Sequence, residues 1–386
     1  MDPNDFAPED QQEDINDIEP EGTWFEDAVL WSADWTTETI ISQLRRGNIN
    51  LNPIFQRRSA WNQVRKSLFI ESLILGLPIP QIILAEDKSH KGRFVVIDGK
   101  QRLLTIRQFA ADDQDEFDKL TLKGLEDRPD LNGKDYGALK SDLDLQRDLD
   151  RFENQTIRTV IIRGWEKEDY LYSVFLRINQ GSVTLSPQEL RQALHPGKFS
   201  VFVDDRSATS EPLLNALGLS EPDFRMRDAE LLLRYLAYSF FASSYGGNLK
   251  KFLDDAHTYF NKNWDSKKSE VEQRFEQFEI AIEFLRKGFG EKEYLRKWNG
   301  KNFEPRINRA VFDIMLYYFS EESVRHSAEN KMEDVVDSFK KLCETTKFLS
   351  SIETTTKSKD ANSTRFNMFS DMLNNLLQIE TVSPFS

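Results

Sequence analysis

Hydrophobic and polar positions follow two different rhythms along this chain, and the change of rhythm divides it. In the first half, short β-branched runs alternate with helical stripes. Residues 80–85 and 93–97 read as strands joined by a polar turn of Asp87, Lys88, Ser89 and Gly92, and residues 156–163 read as another strand. Residues 35–47 read as a short helix, with Thr36 or Thr37 as N-cap and Gly47 as its stop. A second helix over residues 62–75 places Trp61, Val64, Leu68 and Leu75 on one face and ends at Gly76 and Pro78. After Arg102, the residues Leu103, Ile106, Phe109 and Ala110 recur at helical spacing. Residues 166–178 read as a helix, and Ser186-Pro187-Gln188-Glu189 opens the next one with an N-cap serine, a proline at N1 and a capping-box glutamate.

From about residue 205 the strand signals nearly vanish. Residues 228–241, 269–286, 308–319, 332–349 and 364–377 are long amphipathic helix candidates. The clearest stripe is Val271, Phe275, Phe278, Ile282 and Leu285, which reads as core; the polar run 350–362 reads as a flexible loop. The pattern predicts an α+β chain: an α/β N-terminal domain over residues 23–204 and an all-helical domain over 205–386.

Charge sharpens this division. The net charge is −14, yet residues 1–44 alone hold 13 acids and no Lys or Arg. Residues 1–22 therefore read as an acidic disordered tail. Residues 45–110 carry 12 bases against 4 acids, whereas residues 111–155 carry 14 acids against 7 bases. The first is a basic island suited to a polyanion, or else a solvated helix face. The second, punctuated by Gly and Asn, reads as an acidic insertion or lid. One cysteine, Cys343, excludes an internal disulfide framework and fits a reducing compartment. No segment has the pattern of a secretory leader, and the most apolar stretch, 231–245, is too short to span a bilayer and carries Arg234. A soluble, cytoplasmic protein is expected.

Most familiar chemistries find no support. The histidines His90, His195, His257 and His326 are far apart in the chain and lack metal-type spacing. There is no G-x-S-x-G, no G-x-x-x-x-G-K-[ST] and no G-x-G-x-x-G. What remains is Asp98-Gly99-Lys100-Gln101-Arg102, where a strand pattern passes at once into a helix pattern. Such a junction favours a ligand, and a helix N-terminus favours an anion. Asp98 suits Mg²⁺ or an attacking water, Arg102 suits phosphate charge, and Gln101 suits a water or a base edge. The competing reading is a turn in which Asp98 caps the helix and Arg102 pairs with it.

Several motifs in order carry a resemblance: Gln56-Arg57-x-x-x-Trp61, Gly76-x-Pro78-x-Pro80, the Asp98–Arg102 turn, Ile178-Asn179-x-Gly181 and Leu185-x-x-x-Glu189-Leu190-Arg191. Together they resemble the N-terminal domain of GmrSD-type restriction systems; Arg225-Met226-x-Asp228 and residues 246–253 resemble its helical continuation. The resemblance implies a ParB/sulfiredoxin-like core and a nucleotide-binding, NTP-hydrolysing component of a DNA-targeting phage-defence system. It implies Asp98, Gln101 and Arg102 as catalytic, with Asp98 on Mg²⁺, and Gln56, Arg57, Gly99, Lys100 and Asn179 on the nucleotide. Arg58, Arg65 and Lys66 are the DNA-binding candidates of the basic island. This chain departs from the family's D-G-Q-Q-R at Lys100, and its histidines show no HNH pattern. Cutting would then need a separate nuclease subunit. The other readings are a DNA- or partner-binding module with a relic nucleotide site, and a ParB-like nuclease. The expected partners are a nucleoside triphosphate, DNA and that nuclease, with self-association left open.

Overall fold

The computed structural model describes residues 28–51, 58, 60–168, 170–171, 173–174, 186–354 and 356–385. The expected acidic tail, 1–22, lies outside them. The protein is mixed α and β, with a small sheet in its N-terminal part and helices through its C-terminal part. It divides into two compact units, one ending at Leu194 and the other beginning at His195. A boundary at residue 204 would cut the helix Lys198–Thr209.

The first unit is built on a mixed sheet of β1 (Val29–Thr36), β2 (Ile82–Glu86), β3 (Phe94–Asp98) and β4 (Thr156–Arg163), in the order β1-β4-β2-β3. β4 runs antiparallel to β1 and parallel to β2, while β2 and β3 are antiparallel. The central β4 buries Ile157, Thr159, Ile161 and Ile162. β1 was not visible as a strand because it shows no buried alternation: Val29 and Leu30 are each 62% exposed. Its register comes from β4, helped by an Arg158–Asp34 pair at 2.8 Å. Trp35 accordingly belongs to β1, not to the helix that follows.

That helix, α1 (Thr37–Arg45), starts on Thr36, whose hydroxyl accepts from the Thr39 N–H, and stops at Gly47, whose φ of +67° suits glycine. α2 (Gln63–Ile74) is capped by Asn62. It turns a different face inward from the one expected. Phe69, Ile70, Leu73 and Ile74 are buried, whereas Val64, Leu68 and Leu75 stay 39%, 43% and 38% exposed. Ser67 and Glu71 on the buried side accept hydrogen bonds from the N–H groups of Lys123 and Arg128.

Those bonds reveal a second correction. Residues 111–155 are not a peripheral lid. Phe117, Leu120, Leu122, Leu125, Leu139 and Phe152 join the same core as α1, α2 and α3 (Lys100–Phe109). The segment forms α4 (Tyr136–Ser141) and α5 (Gln146–Asn154). Its acids meet bases: Asp115 meets Arg107 at 2.6 Å, and Asp148 meets Arg128 at 2.6 Å. The acidic composition hid sparse apolar positions that are nonetheless buried.

The second unit is largely helical, with long helices Arg227–Phe241, Leu249–Lys262, Trp264–Phe289, Arg309–Phe319 and Lys359–Leu377. Val271, Phe275, Phe278, Ile282 and Leu285 are buried. The expected helix over 332–349 breaks into Met332–Cys343 and Thr346–Glu353. The expected loop 350–362 is largely taken up by the end of that second helix and the start of Lys359–Leu377, which Ser358 caps. A short antiparallel hairpin, Arg296–Trp298 with Phe303–Ile307, escaped the sequence reading. Among the described residues no helix is long and apolar enough to cross a membrane.

Candidate functional site

The turn begins with an irregularity in the sheet. Ile83 pairs with Asp98 while the adjacent Leu84 pairs with Val96, so Ile97 is an extra residue on β3. A bulge of this kind bends a strand and re-aims the side chain beside it. Asp98 is the last residue of β3, and Gly99 then reverses the chain at φ +96°, in the left-handed region that favours glycine. A Cβ on Gly99 would lie 3.1 Å from Ile82 Cγ1 and 3.4 Å from Arg102 Nε and Nη2. The guanidinium therefore lies close over the glycine backbone, and a larger residue there would be strained by its φ and would press on Ile82.

Arg102 is held on two sides. Its Nη2 donates to Asp98 Oδ2 at 2.9 Å and its Nη1 to the Pro80 carbonyl at 2.6 Å. The two side chains keep 10% and 15% of their surface exposed, more than the Lys100–Glu189 pair beside them. Asp98 does not cap α3, which begins without a side-chain cap or an acid in its first turn. No carboxylate in that turn cancels the positive end of the helix dipole. Half of the bland expectation holds, the ion pair; the cap does not.

Lys100 points elsewhere. Its ammonium meets Glu189 Oε1 at 2.6 Å, with side chains only 7% and 6% exposed. Glu189 also completes the expected capping box of the helix Pro187–Leu194: its Oε2 accepts from Ser186 N–H at 2.7 Å, and Ser186 Oγ accepts from Glu189 N–H at 3.1 Å. One carboxylate thus starts that helix and fastens it to the turn. Arg191 on the same helix donates to Gln188 Oε1 at 2.7 Å.

Among the described residues the basic island is divided: Arg58, Lys66, Lys100, Arg102 and Arg107 are buried, whereas Arg45, Arg46, Arg65, Lys88, Lys91 and Arg93 are exposed. Arg45 donates to the Ala110 carbonyl, and Arg107 grips Asp115 with both terminal nitrogens. Two of the three DNA candidates are buried: Arg58 is 1% exposed and Lys66 9%. Lys66 donates to Gln108 Oε1 at 2.8 Å, and burial pulls its ammonium below the usual lysine range against the pull of Asp118. Arg58 is sealed from a backbone phosphate, and the Lys66 ammonium is committed to Gln108. Arg65 is exposed, with its guanidinium 5.1 Å from the Trp61 ring, and Trp61 itself packs on Phe69. Gln56, Arg57 and Asn179 lie outside the described residues, as do Gln180 and Gly181. Gln101 is half-buried on the first turn of α3.

In the second unit His195 and His257, distant in sequence, come together with ring centroids 5.9 Å apart. His257 is fully buried beside Ser200 and Asn261. Among the described residues no group of three or more His, Cys, Asp or Glu side chains is arranged to hold a metal ion. Cys343 is buried and its thiol is pushed up to about 12 by burial, which removes it as a nucleophile at neutral pH.

Sequence reasoning passed over Gln188 and Gln192. Both are buried, at 1% and 5% exposure, a helical turn apart and next to Glu189. Two glutamines four residues apart beside a capping glutamate were the available signal.

Residues 37–196 match the family model described as the GmrSD restriction endonuclease N-terminal domain. No curated protein matches the chain. No solved structure matches it either. The match covers the turn, its strand, α1–α5 and the helix that holds Lys100. The likeness to the GmrSD restriction endonuclease N-terminal domain is carried by this segment.

Proposed function

We propose that the first unit binds a nucleoside triphosphate at the Asp98–Arg102 turn and hydrolyses it, as part of a restriction-like system aimed at DNA. The observation that supports this most is the clamped, partly exposed Asp98–Arg102 pair over Gly99 at an uncapped helix start. A guanidinium fixed by the Pro80 carbonyl keeps its direction when a phosphate competes for it. Asp98 would then be released from Arg102 to orient the attacking water, with Gln101 beside it on the first turn. The bond that breaks is the terminal phosphoanhydride, and water supplies the oxygen. One carboxylate at the turn suits a Mg²⁺ ion that keeps several waters and rides on the triphosphate, where it would neutralise phosphate charge. In this reading the sheet and α1–α3 are a ParB/sulfiredoxin-like core, and a separate nuclease subunit cuts the DNA.

The buried state of Arg58 and Lys66 removes these two side chains from a DNA-holding surface. Release of inorganic phosphate from each of the four nucleoside triphosphates tests the proposal. Asp98→Ala is expected to lower turnover roughly a hundredfold, as loss of one positioned catalytic group does. Unchanged turnover would remove Asp98 from the mechanism.

A further inference from the structure

The helix Pro187–Leu194 carries a polar face that is buried to an unusual degree: Gln188, Glu189, Arg191 and Gln192 are 1%, 6%, 3% and 5% exposed. Successive helical residues are turned by about 100°, so Gln192 lies on the helix surface between Gln188 and Glu189. Glu189 reaches Lys100 of the turn, and Gln192 lies about 60° from Glu189 round the helix, with Gln188 about 40° further on. Their amides are incompletely used. Among the described residues, Gln188 Nε2 and both Nε2 and Oε1 of Gln192 find no hydrogen-bond partner. The Gln188 amide cannot be turned round to cure this, because its Oε1 accepts from Arg191. Buried polar atoms without partners oppose folding, because they have given up their bonds to water. A fold that carries three of them on one face next to an anion site has the form of a subsite awaiting its ligand.

We infer that Gln188 and Gln192 read the base of the nucleotide whose phosphates meet the turn, an inference that rests on the function proposed above. The unused atoms are two amide nitrogens, each carrying two N–H donors, and one carbonyl acceptor, a set that suits a nucleobase edge offering both acceptors and a donor. A single amide can engage adjacent donor and acceptor atoms of a base at once. Gln192 has both atoms available for that contact, and Gln188 adds the second amide nitrogen.

The test measures dissociation constants of UTP, CTP, GTP, ATP and inorganic triphosphate for the full chain and for Gln188→Met, Gln192→Met and Gln192→Glu, beside the melting temperatures of the ligand-free proteins. Gln192→Met should weaken the preferred nucleotide roughly tenfold, the scale of one bidentate amide–base contact, and flatten the ranking of the four. Inorganic triphosphate should bind as before, and the ligand-free melting temperature should hold or rise, because an apolar side chain of similar shape removes orphaned groups. Gln192→Glu keeps the acceptor and removes the donor, and should move the ranking toward guanine, whose N1–H and N2–H suit a carboxylate. This readout stands even if the methionine variant fails to fold. An unchanged ranking in the variants would overturn the inference, as would a parallel loss of triphosphate binding and stability. Binding of triphosphate with no preference among the four nucleotides in the unaltered chain would overturn the base subsite and leave the turn standing. No binding of any of the five would overturn both.

Discussion

Two arginine–carboxylate pairs, one in each unit, differ in ways that separate architecture from chemistry. In the second unit Arg234 grips Asp313 through Nε at 3.1 Å and Nη2 at 2.5 Å, with side chains 4% and 0% exposed. Arg365 stands 3.7 Å from the same carboxylate, and Arg309 stands 3.5 Å from Glu230. Asn362 accepts from both Arg365 and Tyr238. The charges join helices far apart in sequence and are sealed from water. In the first unit Asp98 and Arg102 are four residues apart, meet through one oxygen and remain partly exposed. A charge pair that crosslinks distant helices in the dark holds a fold; a local pair at the rim of a sheet can be opened by a competing anion. The same residue types serve both ends, and burial decides which.

The largest effect expected from breaking this contrast is at Asp313. Asp313→Asn strands buried guanidinium charge and should destabilise the second unit by about 3–5 kcal/mol in denaturant unfolding. A loss no greater than an exposed pair gives would mean the network is not sealed. Next comes Lys100, whose ammonium meets the buried Glu189. Lys100→Met leaves Glu189 buried with only its capping N–H bond and should cost about 2–4 kcal/mol. Lys100→Gln can still donate to Glu189 and should lose less than half of that; equal losses in melting would contradict the role of the Lys100–Glu189 contact. A smaller, pH-dependent effect belongs to Asp115. Burial alone would raise its carboxyl, but the Arg107 bonds and the Phe117 N–H outweigh it and hold it below 3.8. A carboxyl lowered by folding contributes stability that is present above its unfolded value and is lost as pH falls through the folded one. Asp115→Asn should therefore flatten the fall of stability below about pH 4. An identical acid limb in both proteins would exclude this contribution.

What could be read from the sequence was local. The β2–β3 hairpin, the Thr36 and Ser186 caps and the turn itself follow from residue type within a few positions. The face of α2 could not be read, because Ser67 and Glu71 are buried only by virtue of hydrogen bonds to a segment some 55 residues away. The 111–155 segment looked detachable for a related reason: its apolar residues are sparse, and its surface acids dominate the composition. Arg58 and Lys66 looked like a cationic surface because one-dimensional charge counts carry no burial. Gln188 and Gln192 drew no notice, since an amide becomes informative only once its unmet bonds are seen.

Isothermal titration of the full chain with GTP, ATP, CTP and UTP, with and without Mg²⁺, tests the central claim most directly. The geometry of the turn predicts saturable binding of at least one triphosphate, strengthened by Mg²⁺ and abolished in Arg102→Ala. Absence of heat with all four in the folded, unaltered protein, or undiminished binding by Arg102→Ala, would contradict it.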